Sequence, residues 1–195
     1  MLVIGNGESR RSIDIAQIRD HKIGCNAILR DFRVDHLVCV DRKMVKEAVE
    51  TNYTKSSLVY TRHDWIREFK RFPGVRELPF LPYTGTERWD EAFHWGSGPY
   101  AVLLGAQLTT TDTVNLLGFD LYGIDRKLNN IYKDTNNYKE SYSRSVDPRY
   151  WIYQIGKIFE LYPNVKFTVY QKEGWAMPDQ WNKNNVSVDK LDCLL

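Results

Sequence analysis

The chain begins with a short apolar run that ends at two closely spaced glycines. Residues Leu2–Ile4 are followed directly by Gly5-Asn6-Gly7-Glu8-Ser9. This pattern is typical of a buried strand that turns sharply, and glycines let a ligand approach the backbone closely. A helix that starts next would present unpaired N–H groups to the turn, which suits a phosphate. The spacing is neither a complete G-x-G-x-x-G nor a Walker loop, which carries a lysine. A phosphate site and a plain tight turn both remain open.

Polar side chains also follow other strand-like runs. Asn26 ends the run that starts at His21, and Asp41 follows the run Asp35–Val40. Asp120 and Tyr122 come after the run Val114–Leu117. Because ligands of parallel α/β sheets bind beyond the carboxyl ends of the strands, we expect these side chains to share a site with Gly5, Asn6, Gly7 and Ser9. The alternatives are structural: Asp41 as a helix cap and Asp120 as a brace for its own loop.

The clearest helix start lies at Ser97-Gly98-Pro99. A hydroxyl residue near the N-terminus with a proline just inside it is typical of a first helical turn. The apolar run from Tyr100 to Ala106 follows it. The amides of Ser97 and Gly98 would then face the same edge of the sheet.

Strand-like and helix-like segments alternate along the chain. Short loops between such units predict a parallel sheet covered by helices on both faces. We therefore expect an α/β fold, a Rossmann-like single domain over residues 1–195. The strands are predicted at 2–4, 21–26, 35–40, 58–60, 114–117 and 165–170, and the helices around 13–18, 44–49, 65–72, 97–106 and 148–162; 73–85 is predicted as a connection, and the tail from 174 onward is left unassigned.

Composition limits the class of protein. The 195 residues are 43% hydrophobic and 27% charged, which is ordinary for one globular domain, and no run is long enough to cross a bilayer. A net charge of +2 does not favour a nucleic-acid partner. No charged segment precedes the first strand, and Cys25 and Cys39 lie in apolar runs where a reduced, buried thiol is expected. We therefore expect a cytoplasmic protein.

A basic stretch lies between residues 62 and 76. Its composition of arginines and lysines interleaved with aromatic residues is typical of nucleic-acid binding. Helical spacing instead places Trp65, Phe69 and Phe72 on one apolar face, with the basic residues opposite. A solvated helix face is favoured, and the same charges could receive an anionic acceptor. The basic residues are Arg62, Arg67, Lys70, Arg71 and Arg76.

Four short motifs stand in a recognisable order. They are Gly5-Asn6-Gly7 with Ser9, Cys25-Asn26, Ser97-Gly98 with Tyr100, and Gly118-Phe119-Asp120 with Tyr122. This order resembles the family 42 sialyltransferases and the related motility-associated glycosyltransferase and pterin-pyrophosphokinase-like domains. The resemblance implies a Rossmann-like core and a cytidine-monophosphate (CMP) sugar donor used without a metal ion or other cofactor.

The resemblance also implies roles for individual residues. Asn6 and the glycine amides would hold the donor phosphate and ribose, with Asn26 beside the nucleotide. In the family a tyrosine pair stabilises the departing phosphate. Tyr122 matches the first of the pair, and Tyr132, in the short lid-like segment 122–147, is the candidate for the second. An ordinary exposed loop aromatic is the alternative for Tyr132.

One departure concerns the general base. The sialyltransferases carry a histidine just before the last core helix, and this chain has none there. Asp147 stands near that position and could accept the acceptor's proton. The alternative is that Asp147 caps the helix that begins at Pro148. His94, just before Ser97, could also reach the site, or it could be a packed, half-buried residue.

Three functions remain open from the sequence. The first is transfer from a nucleotide-activated sugar to an unknown acceptor, and the second is nucleotide binding without transfer. The third is a pterin-type pyrophosphokinase, which would need a divalent metal and clustered carboxylates, for which Asp41 and Asp120 are the only candidates. Sugar transfer is our prediction.

Overall fold

Eight parallel strands form one sheet in the order β5-β4-β3-β2-β1-β6-β7-β8. The structure is a computed structural model, and it describes residues 1–194. The predicted α/β, Rossmann-like parallel sheet is confirmed. The strands are β1 (Leu2–Ile4), β2 (Lys22–Cys25), β3 (His36–Val38), β4 (Leu58–Thr61), β5 (Val75–Glu77), β6 (Thr113–Leu117), β7 (Lys166–Gln171) and β8 (Val186–Lys190).

Helices cover both faces of the sheet because the side chains of each strand alternate between two cores. In β1, Val3 packs in the core under two of the helices, whereas Leu2 and Ile4 pack in the core on the opposite face. The first core lies under α3 (Ser97–Leu108) and α4 (Arg149–Leu161), and the second under α1 (Arg42–Glu50) and α2 (His63–Phe69). None of the helices within residues 1–194 has the length and apolar character needed to cross a membrane.

Helix α3 is apolar on nearly all sides because it is central. Nine of its twelve residues are buried, and it packs against β1, β2, β3 and β6. Gly105 allows this close packing, since a Cβ there would lie 2.8 Å from a methyl group of Val3. Helix α4 is amphipathic and packs beside α3. The first turn of α3 is thereby fixed over the middle of the sheet.

Three sequence-based assignments are corrected. The helix expected around Ile13–Ile18 is replaced by two short 3-10 turns, Glu8–Ser12 and Ile15–Gln17. Strand β5 lies inside the predicted connection 73–85, and β8 lies in the unassigned tail, of which residue 195 is outside the described residues. Both missed strands are sheet edges with mostly exposed side chains, so they lack the alternating apolar pattern.

Candidate functional site

A cavity of about 670 Å³ opens at the carboxyl edge of the sheet. It is lined by Gly5, which follows β1, and by Gly118, which follows β6. These adjacent strands are the point where the strand order reverses, since β2–β5 lie on one side of β1 and β6–β8 on the other. Ligands of open α/β sheets bind at such a switch point.

The glycines of the first loop bring two loops into contact. A Cβ at Gly5 would lie 2.4 Å from the Gly118 carbonyl oxygen, and one at Gly7 would lie 2.3 Å from Asp120 Cγ. The Gly7 N–H donates to the Gly118 carbonyl at 2.9 Å. The glycine spacing is therefore required by loop packing, and the same packing exposes backbone to the cavity.

Asp120 braces the glycine loop as well as lining the cavity. Its Oδ2 accepts a hydrogen bond of 2.9 Å from the Ser9 backbone N–H, and its Oδ1 accepts one from the Ser9 hydroxyl. The Asp120 side chain therefore braces the loop after β1 rather than its own loop, and Asp120 also lines the cavity. Ser9 itself is buried and is not part of the cavity wall.

Asn26 and Ser97 form one polar corner of the cavity. Ser97 Oγ donates to Asn26 Oδ1 at 2.8 Å and accepts from the Val40 N–H at 3.1 Å. Asn26 adopts a φ of +50°, in the left-handed region that few non-glycine residues occupy. Within residues 1–194 its Nδ2 makes no hydrogen bond, so this donor is available to a ligand.

The N-terminus of α3 faces the same cavity. Gly96, at the N-cap position, provides no capping side chain, and the first turn holds no acidic residue. Residues 96–99 line the cavity. Because the first N–H groups of a helix lack intrahelical partners and the helix dipole is positive there, this end favours an anion.

The opposite wall is aromatic and basic. Trp151 comes from α4, while Trp89 and Phe93 come from the 3-10 turns of residues 88–94. The Arg62 guanidinium lies 4.5 Å from the centre of the Phe93 ring, and its pKa is raised by its hydrogen bond to Asp64. Further lining residues on this wall are Arg88, His94, Trp95 and Tyr150.

Hydrogen bonds to α4 hold the aromatic wall in place. Gln154 Nε2 donates to the His94 carbonyl at 3.0 Å. The buried Asp90 carboxylate accepts from the Tyr83 and Tyr153 hydroxyls, each at 2.9 Å. The packed, half-buried alternative for His94 fits this arrangement, although its side chain also lines the cavity.

The buried thiols are free, as expected. Cys25 and Cys39 are buried and form no disulfide. Burial raises the pKa of Cys25 to about 12, so the thiol beside the cavity is neutral at ordinary pH. Neither residue has the character of a nucleophilic cysteine.

The structure does not bring the three predicted catalytic residues to the cavity wall. Tyr132 is 4% exposed, and its hydroxyl donates to Asp31 at 2.5 Å and accepts from Arg10 at 2.9 Å. Tyr122 packs against Trp175 instead, with ring centres 6.3 Å apart. Asp147 is exposed and accepts a hydrogen bond of 3.0 Å from the N–H of Arg149, the first residue of α4. Pro148 occupies the N-cap position of α4, so Asp147 binds a first-turn N–H from the residue before the cap and is not the cap itself.

The segment 122–147, predicted as a lid, is fastened to the glycine loop. The Ile131 N–H donates to the Asn6 carbonyl at 2.9 Å, and the Glu8 N–H donates to Asn129 Oδ1 at 2.8 Å. Asn129 and Asn130 line the cavity. In this conformation the segment is a side wall, and the cavity stays open.

Eight of the nine residues predicted to bind a nucleotide line the first cavity. They are Gly5, Asn6, Gly7, Asn26, Asp41, Ser97, Gly98 and Asp120. Within residues 1–194, no group of three or more His, Cys, Asp or Glu side chains is placed to hold a metal ion.

Comparisons with protein-family models, curated proteins and solved structures found no match to this chain.

Proposed function

We propose that this protein binds the nucleoside monophosphate part of a nucleotide-activated sugar in the switch-point cavity and transfers the sugar. The observation that carries the proposal is the uncapped N-terminus of α3, which opens on the cavity beside the loops after β1 and β6. The CMP-sugar as donor rests on the resemblance of the motifs to family 42 sialyltransferases.

The walls suit the two parts of such a donor. The phosphate would lie at the first turn of α3, with Arg88 adding positive charge, whereas the charge of Arg62 is offset by its ion pair with Asp64. The free Nδ2 of Asn26 would donate to the ribose or base, and the aromatic wall offers flat surfaces for the base or the sugar.

The chemistry follows from where charge develops. As the bond between the sugar and the phosphate breaks, negative charge grows on the phosphate oxygen. Backbone N–H groups and the Arg88 guanidinium would stabilise that charge more than they stabilise the bound donor. In this proposal the electrostatic work therefore belongs to the first turn of α3 and to Arg88.

A second function is nucleotide binding without transfer. It is favoured by one observation: Tyr122, Tyr132 and Asp147 all lie off the cavity wall. Turnover of a donor distinguishes the two functions, so release of CMP from CMP-N-acetylneuraminic acid should be measured alongside binding.

The binding part is tested by placing a carboxylate in the first turn of α3. Gly98→Glu is well tolerated sterically, because a Cβ at Gly98 meets only Phe119, at 3.5 Å. An acidic residue in a first turn also stabilises a helix. We expect its melting temperature to match or exceed that of the wild type, while the thermal shift on adding CMP is lost.

Gly98→Gln is the matched control, since it adds the same bulk without charge. We expect it to retain part of the CMP shift, and we expect the wild-type shift to be the same with and without magnesium. A wild type that no nucleotide stabilises, or a Gly98→Glu variant that binds CMP as the wild type does, would contradict the proposal.

A further inference from the structure

The Asp41 carboxylate has no partner in the described part of the chain. Asp41 occupies the N-cap position of α1, yet its side chain makes no capping hydrogen bond. It is exposed, and within residues 1–194 its carboxylate forms no ion pair with the nearby Arg42, which binds Glu68 instead. The cap role considered for Asp41 is therefore not the one it plays here, and its oxygens are free to accept.

Asp120, His94 and Cys25, the other candidates for a base in the cavity, are already hydrogen-bonded or neutral. Both oxygens of Asp120 accept hydrogen bonds from Ser9. His94 Nε2 lies 3.3 Å from Arg88 Nε, which donates to it. Burial holds Cys25 as a neutral thiol by raising its pKa. Asp41 is the carboxylate left without such a contact.

Asp41 also lies where two cavities meet. A second cavity, of about 340 Å³, adjoins the first, and Asn26 and Asp41 line both. Its other lining residues are polar or aromatic for the most part, which suits a hydroxyl-bearing molecule. They are Arg42, Lys43, Met44, Asn137 and Tyr138.

We propose that Asp41 is the proton acceptor for the incoming hydroxyl group, which reaches it from the second cavity. The inference rests on the proposed function. The bond from the anomeric carbon to the phosphate oxygen breaks, and its electron pair stays on the phosphate. The hydroxyl oxygen of the acceptor, or of water, forms the new bond to that carbon. Its proton passes to the Asp41 carboxylate, which a later exchange with water restores.

The test uses the whole chain with CMP-N-acetylneuraminic acid as donor and water as acceptor. CMP affinity is measured by calorimetry and CMP release by a coupled assay, for the wild type, Asp41→Asn and Asp41→Ala. A general base contributes roughly 100-fold or more to rate. We expect the affinity of both variants for CMP to lie within about threefold of the wild-type affinity. On the same principle, we expect their rate of cleaving CMP from the donor to be at least about 100-fold lower.

Two further arms separate a proton acceptor from a structural residue. Sodium formate should restore part of the rate in Asp41→Ala, because a small carboxylate can enter the space left between the cavities. Asp125→Asn is the matched control: Asp125 is exposed, and its φ of +50° is one that asparagine accepts. We expect wild-type binding and release from it.

The outcomes distinguish the two proposals. Failure of the wild type to bind any nucleotide would overturn the proposed function itself. A wild type that binds CMP without releasing it from the donor would overturn the role of Asp41 and leave binding standing. The role of Asp41 would also be overturned if Asp41→Asn cleaved CMP from the donor at the wild-type rate. It would likewise be overturned if Asp147→Asn lost this cleavage while Asp41→Asn kept it.

Discussion

Asp120 Oδ2 accepts a hydrogen bond of 2.9 Å from the backbone N–H of Ser9, across 111 residues of sequence. The bond joins the loop after β1 to the loop after β6, and these two loops form the floor of the cavity. Gly7 lies against the same carboxylate, with no room for a Cβ. The geometry of the glycine loop therefore depends on Asp120.

We expect Gly7→Ala to destabilise the protein by about 1–3 kcal/mol, as overpacking generally does. The new methyl group would push the Asp120 carboxylate away from Ser9, because the Cβ would lie 2.3 Å from Asp120 Cγ. Urea denaturation measures the change. Gly98→Ala is the control, since its Cβ meets only an ordinary contact at 3.5 Å. Equal stability of the two variants would show that the carboxylate moves freely.

We expect Tyr132→Phe to cost about 1–3 kcal/mol, because it leaves the buried Arg10 guanidinium short of a hydrogen bond. The Tyr132 hydroxyl bridges Arg10, which is 4% exposed, and Asp31. CMP affinity should be unchanged because the hydroxyl does not line the cavity. The exposed Tyr142→Phe is the control for unfolding. A variant of normal stability that loses CMP release would instead support the catalytic role predicted from the sequence.

The tail is expected to be essential for stability. Trp181 is fully buried, packs edge-on against Phe159 with ring centres 5.4 Å apart, and donates to the Ile152 carbonyl at 2.9 Å. Trp181→Ala should cost about 3–5 kcal/mol, as is usual for large aromatic residues in a core. Val188→Ala, on the exposed edge strand β8, should change little by comparison. Denaturation midpoints that shift equally for the two variants would count against this packing.

Stability is expected to fall in alkaline solution. Burial raises the pKa of Cys25 from 9.0 to about 12 and that of Tyr100 from 10.0 to about 12. The unfolded chain therefore loses these protons first and binds fewer of them, so the free energy of unfolding falls as the pH rises from about 9 towards 12. Urea midpoints between about pH 8 and 11, together with tyrosinate absorbance, measure this decline.

Tyr100→Phe tests the cause of the alkaline effect. The variant removes the hydroxyl and should decline less steeply with pH than the wild type. A wild-type stability that stays constant across this range would mean that the buried groups ionise without unfolding the chain.

Strand ends could be predicted from the sequence wherever a strand is buried on both faces. β1 is a continuous apolar run and β6 is a largely apolar one, each is closed by a glycine, and both lie close to their predicted bounds. β8 could not be found, because its side chains are mostly exposed and its pairing with β7 is made by the backbone. Backbone pairing at a sheet edge leaves no pattern in the side chains.

The polar half of the site could be predicted, but the aromatic half could not. Asn26 and Asp41 end neighbouring strands, so a parallel sheet places them together. Trp89 and Phe93 reach the cavity only because Asp90 and Gln154 fasten their loop to α4, contacts that span about 60 residues. The sequence offers only the position of Asp147 as a guide to its role, and the hydrogen bond to Arg149 shows where its carboxylate lies.

The position of β1 in the sheet has a consequence for folding kinetics. β1 pairs with β2 and also with β6, whose residues lie more than 100 positions later in the chain. Pairings of such long sequence separation give a high contact order and form slowly. The two loops that make the floor of the cavity come together only when that pairing is complete. A ligand of this cavity would therefore bind only the completely folded chain. The time at which a refolding chain becomes able to bind that ligand would report the last long-range step of folding.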